Sequence, residues 1–139
     1  MIKCIDRMDV EFIVQEEKGI VVARIEEPID LFLDLYNTDI CQNAAYAIFD
    51  ESLAFKLAEL RGIAKCSDED VFDVAIGKRI ALNKLKVKIV KLLKSRINMY
   101  MKTLNKEINA SKVKMMELSL HKLTLNDRIL KTYDKIQSK

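Results

Sequence analysis

Tryptophan is absent from this 139-residue chain, aromatic residues make up only 6%, and there is one proline, one histidine and three glycines. Without tryptophan, and with half of the residues hydrophobic, the core has to be built from aliphatic side chains. The scarcity of Gly and Pro, with 32% charged residues, suits a helix-rich globule rather than a disordered chain. No apolar run approaches the roughly 20 residues that span a bilayer, and the start, Met1-Ile2-Lys3-Cys4-Ile5-Asp6-Arg7, lacks the apolar stretch of a secretory signal. The expectation is a protein of the cytoplasm. Cysteines are few, odd in number and widely spaced (Cys4, Cys41, Cys66), with no Cys-x-x-Cys. With His121 alone beside them, a four-ligand zinc site would need carboxylates, which structural zinc sites seldom use. Reduced, idle thiols are expected, with no metal and no cofactor.

Charge is what the chain has in abundance, and it is unevenly placed. Up to Asp73 there are 7 Lys/Arg against 17 Asp/Glu; from Val74 onward there are 17 against 4. The overall +3 therefore hides an acidic half and a basic half. Such a split either presents a basic surface to an anionic partner or lets the halves attract each other, within or between chains.

The hydrophobic pattern changes at the same place as the charge. Val10, Phe12 and Val14 alternate with Glu11 and Gln15, and Ile20–Glu26 is rich in β-branched residues. Glu16-Glu17-Lys18-Gly19 lies between them, with Gly where a short loop needs positive φ. A β-hairpin is predicted over 9–26. After Pro28, strict alternation through Ile29, Leu31, Leu33 and Leu35 suits a strand, whereas Pro at a first helical position favours a short helix. Ala44–Phe49 is a candidate strand. Asp50 is placed to cap a helix over Glu51–Arg61 with Leu53, Leu57 and Leu60 on one face and Gly62 as its stop; a second hairpin through Leu53–Leu57 competes. Ile63–Cys66 is a short strand. From about residue 74 the period is helical, with Ile76, Ile80, Val87, Val90, Ile97, Met101, Leu104 and Ile108 in steps of three and four or their multiples. A break near Asn105–Ser111 separates a second helical run over 112–136, marked by Met115, Leu118, Lys122, Leu125, Ile129 and Ile136. The expected fold class is α+β: a small antiparallel N-terminal sheet packed against two long C-terminal helices. It forms one domain over 1–139, with an acidic β-rich part (1–73) and a basic helical hairpin (74–139).

Motifs for chemistry are missing. The three glycines are isolated, so no phosphate-binding loop exists, and there is no Gly-x-Ser-x-Gly, His-Glu-x-x-His or nucleophile beside a histidine. An enzyme is not expected. Asp68, Glu69, Asp70 and Asp73 can hold a divalent ion or complement a helix N-terminus. Ten Lys/Arg and no acid lie between Val74 and Lys106. Like charges at i,i+4, as at Lys84 and Lys88, repel, so the run asks for an anion, an acidic surface or solvent. Long nucleic acid fits the charge, but Tyr100 and Tyr133 are the only aromatics after Phe72, a poor supply for stacking single strands. Arg79, Arg96 and Arg128 each offer a planar two-point contact to phosphate.

One stretch carries a resemblance. Gly62-Ile-Ala-Lys-Cys-Ser-Asp-Glu-Asp-Val-Phe72-Asp-Val-Ala-Ile-Gly-Lys-Arg-Ile-Ala-Leu82 is similar to a module of small proteins from phages and prophages of Gram-positive bacteria. In that module a strand ends in Lys-Cys, an acidic turn leads to Phe-Asp, and a Gly/Ala-containing helix begins. The overall plan resembles the first Thoeris anti-defence family, small homo-oligomeric phage proteins that bind cyclic ADP-ribose-type immune signals without cleaving them. The resemblance implies a sponge for a cyclic nucleotide in the cytoplasm of an infected bacterial host. Phe72 would stack on adenine, Asn83 would touch ribose or base, and Arg79, Arg96 and Arg128 would hold pyrophosphate. Two other functions fit the residues: a phage inhibitor or adaptor acting by protein–protein contact on a host defence protein, as anti-CRISPR proteins do, and a nucleic-acid binder using the basic helix.

Overall fold

The computed structural model describes residues 3–37 and 50–138, so the candidate strand at 44–49 lies outside the described residues. The chain divides into two compact units, Met1–Tyr100 and Met101–Lys139. In chain order the elements are α1 (Lys3–Arg7), β1 (Val10–Gln15), β2 (Ile20–Ile25), α2 (Pro28–Tyr36), α3 (Glu51–Glu59), β3 (Gly62–Lys65) and α4 (Val74–Gln137). The fold class is α+β, as expected: a three-stranded antiparallel sheet, order β1-β2-β3, with a long helix packed on it.

The hairpin forms where the alternation placed it. Val10, Phe12 and Val14 pair with Ile25, Ala23 and Val21, so one face of the ribbon is apolar. A single 3-10 turn over Glu16–Lys18 closes it, and Gly19 follows at φ 63, in the left-handed region that Gly enters without Cβ strain. The ambiguity after Pro28 resolves to helix: α2 has Pro at its first turn and buries Leu31 and Leu35. Alternation there reflects Asp30 and Asp34 falling on the outer face, one turn apart. Asp50 caps α3 as expected, accepting from Ser52 N at 3.1 Å, and Leu53 and Leu57 are fully buried.

Gly62 does not act as a helix stop. It opens β3, and the missing side chain is needed for a close approach: a Cβ there would collide with Ala81 O and lie 2.6 Å from Leu85 N. Gly77 meets the sheet in the same way, a Cβ falling 2.8 Å from Val21 Cγ2. The row of α4 that faces the sheet is therefore Gly77, Ala81, Leu85, Ile89 and Leu93, small at one end and large at the other. Ile76, Ile80, Val87 and Val90, the residues that mark the helical period, are 41–52% exposed. With Val21, Ala23, Ile25 and Ala64 of the sheet and leucines of α2 and α3, the Gly/Ala/Leu row closes one aliphatic core.

The expected helical hairpin is replaced by a single helix, α4, unbroken from Val74 to Gln137. No Pro occurs in that stretch and its only Gly is Gly77. Asn105, Asn109 and Ser111 weaken helix propensity by only about 0.5 kcal/mol each, which does not make a turn. Among the described residues no helix is long and apolar enough to cross a membrane.

Candidate functional site

The β3–turn–α4 segment positions the first candidate site. After β3, Ser67–Asp70 makes a turn closed by Asp70 N to Ser67 O at 3.1 Å and by Ser67 Oγ donating to Asp70 Oδ2 at 2.8 Å. Asp73 then caps α4, its Oδ1 accepting from Ala75 N at 2.9 Å and Ile76 N at 3.2 Å. The acidic set thus does the work of a turn and a helix N-terminus, and no group of three or more metal-ligating side chains is present among the described residues. The Cys66 thiol turns into the same loop, near Ser67 O and Asp70 O.

Phe72 is wedged between the hairpin loop and the first turn of α4, its ring carbons 3.8 Å from where a Cβ on Gly19 or Gly77 would sit. It packs partly buried on the core, and it borders an open groove of about 520 Å³ together with Lys65, Cys66, Ile76, Ile80 and Lys84. Asn83 borders a second groove, about 580 Å³, with Ile63, Val87, Lys88 and Lys91, and the two grooves share Ile80 and Lys84. Arg79 is exposed, one helical turn before Asn83, and lines neither groove.

Arg96 is employed elsewhere. Its guanidinium donates to Asp50 Oδ1 at 3.0 Å and Ser52 Oγ at 2.7 Å, tying α4 to the start of α3 with only 13% of the side chain exposed. The Ser52 hydrogen bond, then Arg96, holds the Asp50 carboxyl below its ordinary pKa. Arg128 is exposed in the second unit. Of the five residues the resemblance selects, Phe72 and Asn83 border adjoining grooves, Arg79 lies a turn away, Arg96 holds the Asp50 cap of α3 and Arg128 belongs to the other unit.

Lysines do more at these grooves than the arginines. Lys84 Nζ donates to Ile63 O at 3.1 Å and Lys88 Nζ to Arg61 O at 2.5 Å. Ile63 lies in β3, the strand at the end of the sheet order, and Arg61 just before it, so two cations cover the edge where this strand begins, which would otherwise offer itself to another strand. Lys78 sits 5.5 Å from the Phe12 ring centroid, and Lys86 is 3.8 Å from Asp6. Much of the basic run is thereby grounded on the acidic half of the same unit. The i,i+4 spacing of Lys84 and Lys88 gave no sign of these edge contacts, which depend on how α4 lies on the sheet.

The second unit offers a different surface. Met101, Ile108, Met115, Leu118, Leu125, Ile129 and Ile136 form one row along α4, each 42–66% exposed. Val113, Met116, Leu120, Leu123 and Leu130 form a second row, equally exposed. A helix with apolar residues on two sides is normally covered.

No family model matches this chain, and neither the curated proteins nor the solved structures compared with it yield a match.

Proposed function

We propose that this chain is a non-catalytic binding protein that acts by protein–protein contact, as an inhibitor or adaptor, with the second half of α4 as its contact element. The observation that carries this reading is the pair of exposed apolar rows over 101–136. An isolated helix gains little from propensity alone in water, and helices in proteins owe most of their stability to packing of an apolar face. Apolar patches of this extent mark interaction sites. The Gly62–Leu82 resemblance supports a phage origin and hence a host defence protein as the target. A photo-crosslinking residue at Leu120 in cells carrying the defence system is expected to give one discrete adduct with a host protein. The same residue at Ala110, exposed between the two rows, is the control. No adduct from Leu120, or one no stronger than from the control position, would sink the reading.

A second reading is capture of a cyclic nucleotide of the cyclic ADP-ribose type. It is supported by an aromatic edge, Phe72, beside Asn83 and Lys84 on adjoining grooves, which offers stacking and a phosphate contact. Mass spectrometry of small molecules released on heating the protein from defence-active cells tests it. An intact nucleotide in near-stoichiometric amount, lost in Phe72→Ala, would favour capture over contact; an empty protein whose melting temperature no cyclic nucleotide shifts would end it.

A further inference from the structure

The apolar row facing away from Leu120 has a regular register. From Met101 the sequence reads as heptads whose first positions are Met101, Ile108, Met115, Lys122, Ile129 and Ile136 and whose fourth are Leu104, Ser111, Leu118, Leu125 and Thr132. Eight of these eleven are apolar, the spacing that winds two helices together with each side chain in a hole of its neighbour. Val113, Met116, Leu120, Leu123 and Leu130 stand outside this seam, at the second and sixth positions.

We propose that the occupant of the seam is a second copy of this chain, running antiparallel and centred between Met115 and Leu118. The proposal rests on reading α4 as a contact element, and names the partner of one of its two rows. The charged and polar positions select orientation and register. A parallel pair would set Lys122 against Lys122 of the second copy inside the seam, burying like charges. The antiparallel pair centred at 115–118 sets Lys122 opposite Ser111 of the second copy, a small polar partner that leaves the ammonium room to reach water. It also sets Ile108 opposite Leu125, Met115 opposite Leu118 and Ile129 opposite Leu104, each contact occurring twice by symmetry.

The flanking positions give the same answer. In this register Glu107 faces Arg128 of the second copy on both sides, Lys112 faces Ser119, Asn105 faces Asn126, and Lys114 faces His121. Sliding by one heptad in one direction brings Lys114 and Lys112 each against its own copy. Sliding in the other brings Lys114 against Arg128. Flanking charges of this kind set partner choice and orientation in coiled helices. Any antiparallel register takes Lys122 out of a like-charged layer; among them, this one is the one that pairs Glu107 with Arg128. A host protein would have no reason to match this self-complementary pattern, so it is assigned to the second row.

The test uses the full chain. Sedimentation or native mass spectrometry is expected to give twice the chain mass of 16.0 kDa. A chain carrying Ser111→Cys, mixed with one carrying Lys122→Cys and mildly oxidised, is expected to give the mixed 111–122 disulfide, identified by peptide mapping. The wild-type chain reports any linkage through the native cysteines. Both substitutions are at exposed positions, so folding is retained, and circular dichroism of each chain checks it. Predominant 111–111 and 122–122 links would overturn the antiparallel arrangement, and a monomer at every concentration would overturn the pairing altogether. A monomer that still gives the Leu120 adduct would leave the contact reading standing; a dimer without that adduct would do the reverse.

Discussion

Two residues show how far a side chain's type misleads about its task. Arg96 has the fork geometry of a phosphate ligand, and the resemblance assigns it to pyrophosphate; in the fold it closes the start of α3 through Asp50 and Ser52. Nothing local to Arg96 announces this, because Asp50 lies 46 residues away and only the packing of α3 on α4 brings them together. The arrangement predicts a pH signature. Asp50 titrates lower in the folded chain than in the unfolded one, so its stabilising contribution is fully present above the ordinary Asp pKa of 3.8. It is lost as pH falls through the lowered folded value. Arg96→Met is expected to lower the melting temperature by a few degrees at neutral pH, with the gap to wild type closing as the solution is acidified below that range. A gap that stays constant with pH would place the role of Arg96 in packing instead. Gly62 is the second case. Read as a helix stop, it proves to be the point where β3 and α4 touch, with the Ala81 carbonyl and Leu85 amide against it. Backbone cannot step aside as a flexible side chain can. Gly62→Ala is therefore expected to cost about 3 kcal/mol, the upper end of overpacking effects, measurable by urea denaturation.

At the scale of elements, the N-terminal hairpin, the Asp50 cap, β3 and the start of α4 were legible because each depends on local chemistry: alternation, a left-handed Gly, a carboxylate over free amides. Which side of α4 faces the sheet was not. The eye follows large hydrophobics, and Ile76, Ile80, Val87 and Val90 are the conspicuous ones, yet the buried row begins with Gly77 and Ala81 because a helix lying close on a sheet needs small residues. This divides neighbouring positions sharply. Leu85 is fully buried and Val87 is 52% exposed. Leu85→Ala is expected to cost about 2–5 kcal/mol through the cavity it leaves, while Val87→Ala should change monomer stability by no more than about 0.5 kcal/mol. Equal losses in chemical denaturation would mean that the sheet-facing row has been assigned to the wrong side. The absent hairpin turn has the same kind of cause. Asn105, Asn109 and Ser111, within seven residues, suggested a break, but their summed propensity cost is small beside what a covered apolar face supplies.

For the whole molecule, the acid–base split that stood out in the composition finds a use within the first unit, where Lys86 meets Asp6 and Arg96 meets Asp50. This removes part of the case for a large anionic partner and shifts weight to the apolar second unit. There the helix bears two exposed apolar rows, and its ion pairs among the described residues are the exposed local ones, Lys114–Glu117 and Lys131–Asp127. Exposed pairs of this type contribute only about 0.2–0.5 kcal/mol each, too little to hold a free helix of this length closed against fraying. Helicity after Met101 should consequently depend on what covers it, and therefore on concentration. Limited trypsinolysis tests this directly, since Lys102, Lys106, Lys112, Lys114, Lys122 and Lys131 are all exposed cleavage sites in that stretch. At high protein concentration these sites are expected to be protected, and on dilution to be cut progressively; Lys122→Leu, which removes the charge from the seam, should move the onset of cutting to lower concentration. Cutting at the same relative rate across dilution, in both chains, would mean that the helix stands without a second copy and that its apolar rows await some other partner.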